Sequence, residues 1–172
     1  MKLISSRERF KCSIFTITED TAVEPGGYKA HRFVINHNGS AVMLAVDEKK
    51  RVLLVRQFRL AARTAMWELP AGRVDPGETP LKAAKRELIE ETGYRARAWK
   101  KVVSFFPSPG FLSEKMHIFV ATGLSAGDAA PMEDERIECR WFTTKELDDA
   151  IRTGKIIDGK TIAGYLSWQR YK

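Results

Sequence analysis

Gly72–Tyr94 reads GRVDPGETPLKAAKRELIEETGY, and this stretch decides how the rest of the chain is read. Asp75-Pro76-Gly77-Glu78 is turn chemistry. Thr79 can cap a helix that has Pro80 at its first position, and Gly93 stands where that helix would stop. The spacing therefore predicts a helix over 80–92, with Leu81, Ala84 and Leu88 as its apolar stripe. The same helix carries Arg86, Glu87, Glu90 and Glu91. Residues three and four apart are neighbours on a helix surface, so Glu87 shares one face with Glu90 and Glu91. Like charges so placed cost about 0.2–0.5 kcal/mol per pair. A counter-charge is expected, and a hard divalent cation with oxygen ligands suits three carboxylates. Gly72, ahead of the turn, marks a backbone conformation or a close approach that larger residues resist.

Upstream, Ala41–Val46 (AVMLAV) is a continuous apolar run, as a buried strand requires, and Arg51–Phe58 is a second strand that ends cationic. Arg56, Arg59 and Arg63 follow one another into Trp67-Glu68-Leu69-Pro70-Ala71-Gly72. Arginine suits bidentate recognition of phosphate oxygens, which makes Arg56 and Arg59, with the neighbouring Glu68, substrate-binding candidates. Pro70 disfavours helix at Leu69 and limits strand pairing. The first third reads as strands over Lys11–Thr18 and Tyr28–Asn36, separated by the turn Glu24-Pro25-Gly26-Gly27. Downstream, strands are expected over Ala98–Phe106, Lys115–Gly123 and Cys139–Phe142. Two helices close the chain, one from the Thr143-Thr144 caps to about Arg152. The other follows Asp158, with Ile162, Tyr165, Leu166, Trp168 and Tyr171 as packing residues.

The 172 residues suit one domain with a small appendage. Lysine and arginine outnumber aspartate and glutamate 29 to 22, which favours an anionic partner. The basic residues are scattered rather than clustered, so a small anionic substrate is expected and nucleic acid is not. No apolar run approaches the roughly 20 residues of a membrane span, and the N-terminus lacks the features of a secretory signal. Cys12 and Cys139 lie in no metal-ligand spacing and fit a reducing compartment. A cytoplasmic protein is expected.

The pattern resembles the Nudix hydrolase family: Gly72, five residues, Glu78, seven residues, then Arg86-Glu87-Leu88-Ile89-Glu90-Glu91-Thr92-Gly93 and Tyr94. Every fixed position of that motif matches; Tyr94 stands where an aliphatic residue is usual. The resemblance implies an α/β/α sandwich with a mixed β-sheet over residues 40–172, preceded by a small antiparallel β unit over 1–39. It also implies cleavage of a nucleoside diphosphate linked to another group, with Mg²⁺ or Mn²⁺. Glu87, Glu90 and Glu91 would be metal ligands, with the Ala71 carbonyl as a further one. Arg86 would orient a carboxylate, Glu90, and Glu78 would support the loop.

Pro109 lies sixteen residues after Gly93, and Ser108-Pro109-Gly110-Phe111 resembles the ADP-ribose pyrophosphatase branch of the family. That resemblance implies substrate contacts from Pro109, Gly110 and Phe111. A glutamate of the acidic loop 127–138 would act as general base or orient the water; Glu133 is the first choice and Glu135 the other. Phe15, Tyr28 or Phe33 would stack on the base, and the N-terminal unit would help build a homodimer. The expected reaction is hydrolysis of ADP-ribose to AMP and ribose 5-phosphate. Other nucleoside diphosphate sugars, or a non-catalytic Nudix module that binds nucleotide or RNA, are the alternatives.

Overall fold

The computed structural model describes residues 1–127 and 137–170. Three antiparallel strands come first, β1 (Lys2–Lys11), β2 (Thr16–Val23) and β3 (Lys29–Asn36). The β2–β3 turn places Gly27 at φ 86, a left-handed conformation that glycine adopts without steric cost. β4 (Ser40–Ala45), β5 (Val52–Arg59), β6 (Thr64–Glu68) and β7 (Ala71–Arg73) follow, then α1 (Pro80–Thr92). The chain continues through β8 (Tyr94–Phe105), β9 (Met116–Ala126), β10 (Glu138–Phe142), α2 (Thr144–Arg152) and α3 (Gly159–Arg170).

β4 is the central strand. It runs parallel to β9 and antiparallel to β7, in a mixed sheet of order β7-β4-β9-β8. A second, antiparallel sheet has the order β10-β5-β6. Side chains alternate along a strand, so β4 feeds two cores. Ala41, Met43 and Ala45 pack with Ala83, Ala84 and Leu88 of α1. Val42 and Leu44 pack with Leu147 of α2 and Tyr165 of α3. A strand covered on both faces has to be apolar throughout, which accounts for the uninterrupted run. Burying one such leucine contributes about 2 kcal/mol relative to leaving it exposed. The result is an α/β/α sandwich of mixed strands with a small antiparallel sheet attached.

Leu69-Pro70-Ala71 carries the chain from one sheet to the other, since β6 pairs with β5 and β7 pairs with β4. Each of the three residues makes a backbone bond to a different element. Leu69 N–H donates to Thr161 Oγ1 of α3 (2.8 Å), and Pro70 C=O accepts from Met43 N–H of β4 (2.9 Å). Ala71 N–H donates to Glu91 Oε2 of α1 (3.2 Å). Proline brings no N–H of its own to satisfy at this crossing.

The N-terminal sheet joins the body through few bonds. Ile35 N–H donates to the Phe111 carbonyl (2.8 Å), Ser113 N–H donates to the Ile35 carbonyl (2.9 Å), and Arg73 Nη1 donates to the Ser13 carbonyl (2.9 Å). β1 is exposed along its length, and Leu3, Ile4, Phe10, Tyr28 and Phe33 are exposed apolar residues of this unit.

Four expectations change. The strand expected over Lys11–Thr18 is two strands, with a turn closed by Cys12 N–H to the Phe15 carbonyl (3.0 Å). That turn contains no glycine or proline, so composition gave no sign of it. β6 and β7 were not expected, because Pro70 was read as a limit on pairing rather than as the point where the chain changes sheet. The apolar stripe of α1 begins at Ala83, since Leu81 in the first turn is 37% exposed. On α3, Tyr165 is buried and Ile162 and Trp168 pack against the core, while Leu166 faces solvent; Tyr171 lies outside the described residues.

Candidate active site

α1 begins where Thr79 Oγ1 accepts the Lys82 N–H (3.3 Å) and ends at Gly93, whose φ of 73 lets its N–H reach the Ile89 carbonyl (2.8 Å). Arg86 uses all five of its N–H donors. Nε donates to Glu78 Oε1 (3.3 Å). Nη1 donates to Glu87 Oε1 (2.6 Å) and Glu90 Oε2 (3.0 Å), and Nη2 donates to Glu78 Oε2 (2.9 Å) and the Arg73 carbonyl (3.1 Å). Arg86 thus ties the 73–78 loop to the helix and stands between two of the crowded carboxylates. Its bonds to Glu78 above all, and then to Glu87 and Glu90, hold the guanidinium well above its ordinary pKa, against the pull of burial. In return the Arg86 bond holds the Glu78 carboxyl below its usual range.

Glu91 is nearly buried and accepts the Ala71 N–H. Gly72 is glycine because of a close approach rather than a left-handed φ: an added Cβ would overlap the Glu87 side chain. β7 therefore lies directly on the Glu87–Glu91 face of α1. The Cys139 thiol on β10 points at the Glu91 carbonyl (3.8 Å). Burial first, then the charges of Glu91 and Glu138, push that thiol above its usual pKa, which makes it a poor nucleophile.

A second charged group assembles beside this face. Arg59, the last residue of β5, donates Nε to Glu68 Oε1 (2.8 Å) and Nη2 to Glu68 Oε2 (2.9 Å). Lys160, in the first turn of α3, bonds the same Glu68 carboxylate and also Asp158 Oδ1 (3.0 Å). Asp158 caps α3 through the Thr161 N–H (3.0 Å), and Thr161 Oγ1 donates to Asp158 Oδ2 (2.5 Å). Burial works to lower the Arg59 pKa. The Glu68 bond and charge, with smaller contributions from Glu91 and Asp158, outweigh it, so the guanidinium stays firmly charged. Sequence reasoning named Arg59, Glu68 and the Asp158 cap but missed Lys160 and Thr161. Glu68 and Lys160 are 92 positions apart, and nothing in one sequence pairs them.

The remaining candidates are more dispersed. Arg56 is exposed on β5 and pairs with Glu138 (3.5 Å). Pro109, Gly110 and Phe111 line an open cleft of about 360 Å³ against β3, with Arg32, Val34 and Phe106. Phe111 reaches β3 through its carbonyl, and its ring is half exposed. Glu133 and Glu135 lie outside the described residues.

Among the described residues, no three acidic, histidine or cysteine side chains converge in a coordination geometry; Glu87 and Glu90 share Arg86 Nη1 instead. The donor set still fits a hard divalent cation. It is all oxygen, it lies on one helical face, and it sits where Gly72 leaves room at Glu87.

Comparison with known proteins identifies the family. The NUDIX domain profile matches residues 36–164. The chain is 32% identical to an ADP-ribose pyrophosphatase of Bacillus subtilis, covering 93% of this chain and 88% of that one. It is 32% identical to the methanol dehydrogenase activator of Bacillus methanolicus, covering 94% and 88%. It is 36% identical to a GDP-mannose pyrophosphatase of Cronobacter sakazakii, covering 85% and 82%. A solved structure described as an ADP compounds hydrolase superposes with a TM-score of 0.86 at 18% identity, over 99% of this chain and 92% of that one, and so shares the fold. The profile match covers most of the chain, from the end of β3 into α3, the α1 helix with its capping loop lies inside it, and the chain is accordingly a member of the Nudix hydrolase family.

Proposed function

We propose that the protein hydrolyses the diphosphate linkage of ADP-ribose, adding water across it to give AMP and ribose 5-phosphate. The observation that carries this is the link from Arg59 to the Glu87–Glu91 face: Glu68 holds the Arg59 guanidinium, and the same segment bonds Glu91 through the Ala71 N–H. A cationic fork beside a carboxylate face suits a metal-bound diphosphate. Glu87, Glu90 and Glu91, with the Ala71 carbonyl, would hold Mg²⁺ or Mn²⁺. Such an ion, when bound, offsets phosphate charge and makes a water more acidic. Arg59 and Arg56 would hold phosphate oxygens, and Glu68 would hold Arg59. Arg86 keeps Glu87 and Glu90 in place. Glu133 or Glu135 would orient the attacking water. Pro109, Gly110 and Phe111, with Phe15, Tyr28 or Phe33, would receive the nucleoside end.

Residues 1–39 are proposed as a dimerisation unit, on the ground of their exposed apolar residues and sparse bonds to the body. Light scattering should give twice the 19.5 kDa chain mass; a monomer at tens of micromolar would refute this. The similarity to a GDP-mannose pyrophosphatase supports a second reading, a preference for another nucleoside diphosphate sugar. Pure protein with Mg²⁺ should turn over ADP-ribose with a higher kcat/KM than GDP-mannose or UDP-glucose, and EDTA should abolish the rate. If ADP-ribose is untouched while GDP-mannose is cleaved, the second reading is correct. Binding of ADP-ribose without hydrolysis, in Mg²⁺ and in Mn²⁺, would refute the enzymatic reading.

A further inference from the structure

We propose that Lys160 is a positioning residue for the substrate diphosphate: it fixes Glu68, and Glu68 fixes the guanidinium of Arg59 with one edge turned outward. The inference rests on the reading that Arg59 receives the diphosphate. Glu68 is only 1% exposed, and both of its oxygens are engaged by Arg59. Lys160 completes its surroundings and is itself 9% exposed. Among the described residues its two hydrogen-bond partners are carboxylates, so it neutralises Glu68 and Asp158 rather than facing a ligand.

The geometry of Arg59 gives this arrangement a purpose. Nε and one Nη2 hydrogen form the fork to Glu68. Among the described residues the Nη1 hydrogens and the second Nη2 hydrogen make no bond; one Nη1 hydrogen and that Nη2 hydrogen lie parallel at the end of the group and form a second bidentate fork for phosphate oxygens. The Arg59 side chain is 42% exposed, so the open end of the group is this guanidinium. Two cations and two carboxylates balance one another around Glu68. Without Lys160, Glu68 would keep Arg59 as its one cation among the described residues and would stand near Asp158 without the lysine between them. Buried ionic groups depend on complete pairing, so the fork would lose its fixed orientation. Lys160 comes from the start of α3, which Thr161 also bonds to Leu69 beside Glu68, so the lysine and its target move together.

Lys160→Met and Lys160→Arg in the full-length protein test this. With ADP-ribose and Mg²⁺, Lys160→Met should raise KM about tenfold or more and change kcat less than threefold. Lys160→Arg should restore KM to within threefold of wild type. Arg59→Met combined with Lys160→Met should be no worse than Arg59→Met alone, because the lysine acts through the arginine. Effects that multiply would overturn the proposal. A readout independent of turnover is the Arg59 Nε–H signal in ¹⁵N NMR, assigned by its loss in Arg59→Met. It should be sharp in the wild type and broadened or shifted in Lys160→Met. An unchanged signal would overturn the proposal even if the wild type is active. A wild type that cleaves no nucleoside diphosphate sugar would instead refute the functional reading, and the same signal would still decide what Lys160 does. If Lys160→Met does not melt cooperatively, Lys160→Gln is measured in its place against the same outcomes.

Discussion

Glu91→Gln should lower kcat on the nucleoside diphosphate substrate by about a thousandfold, while the protein should still melt cooperatively close to the wild-type temperature. The side chain is nearly buried on the face that β7 covers, and it accepts a hydrogen bond from the Ala71 N–H. An amide of the same shape can accept that bond through its oxygen, so the local fold survives. The negative charge is what disappears, and hard divalent cations bind carboxylates far better than amides. Losing one such ligand removes about 4 kcal/mol of transition-state stabilisation, which is about three powers of ten in rate. Steady-state rates at saturating substrate and Mg²⁺, with thermal melting as the control, decide it. A rate within tenfold of wild type would remove Glu91 from the ligand set.

Arg86→Lys should lower both stability and rate, for a reason of geometry rather than charge. The guanidinium bonds Glu78, Glu87, Glu90 and the Arg73 carbonyl with five donors in one plane. An ammonium has three donors around one nitrogen and cannot span the loop and the helix together. The side chain is 30% exposed, so water takes up part of the loss. About 2 kcal/mol is expected, which in a domain of this size lowers Tm by about 4–8 °C. Glu87 and Glu90 would no longer be held by a common donor, and kcat should fall about a hundredfold. Differential scanning fluorimetry and initial rates report the two effects. An unchanged Tm would show that the 73–78 loop does not depend on Arg86.

How much of this was legible in the sequence follows from how local each signal is. The helix over Pro80–Thr92 is set by Thr79, Pro80 and Gly93, all within or beside it, and it runs where those residues place it. The buried strand β4 is equally local, because covering on both faces leaves a run of apolar residues. The Lys160–Glu68 contact joins positions 92 apart and leaves no trace in spacing. The turn at Cys12–Phe15 was hidden because a backbone bond closes it without glycine or proline. The choice between the conformational and steric reasons for Gly72 required α1 and β7 in place together. Leu81 shows the limit of periodicity: the pattern gives a direction, but whether anything covers the first turn depends on the sheet beneath it.

Leu69-Pro70-Ala71 bonds α3, β4 and α1 in three consecutive residues. A machinist would call such a feature a datum, the one surface from which all other dimensions are taken. The carboxylates of α1 and the lysine of α3 are both located from it, although neither helix is bonded to the other through these contacts. Displacing α1 or α3 would pull on the same three residues, so the spacing between the carboxylates of α1 and the lysine of α3 is expected to depend on this segment.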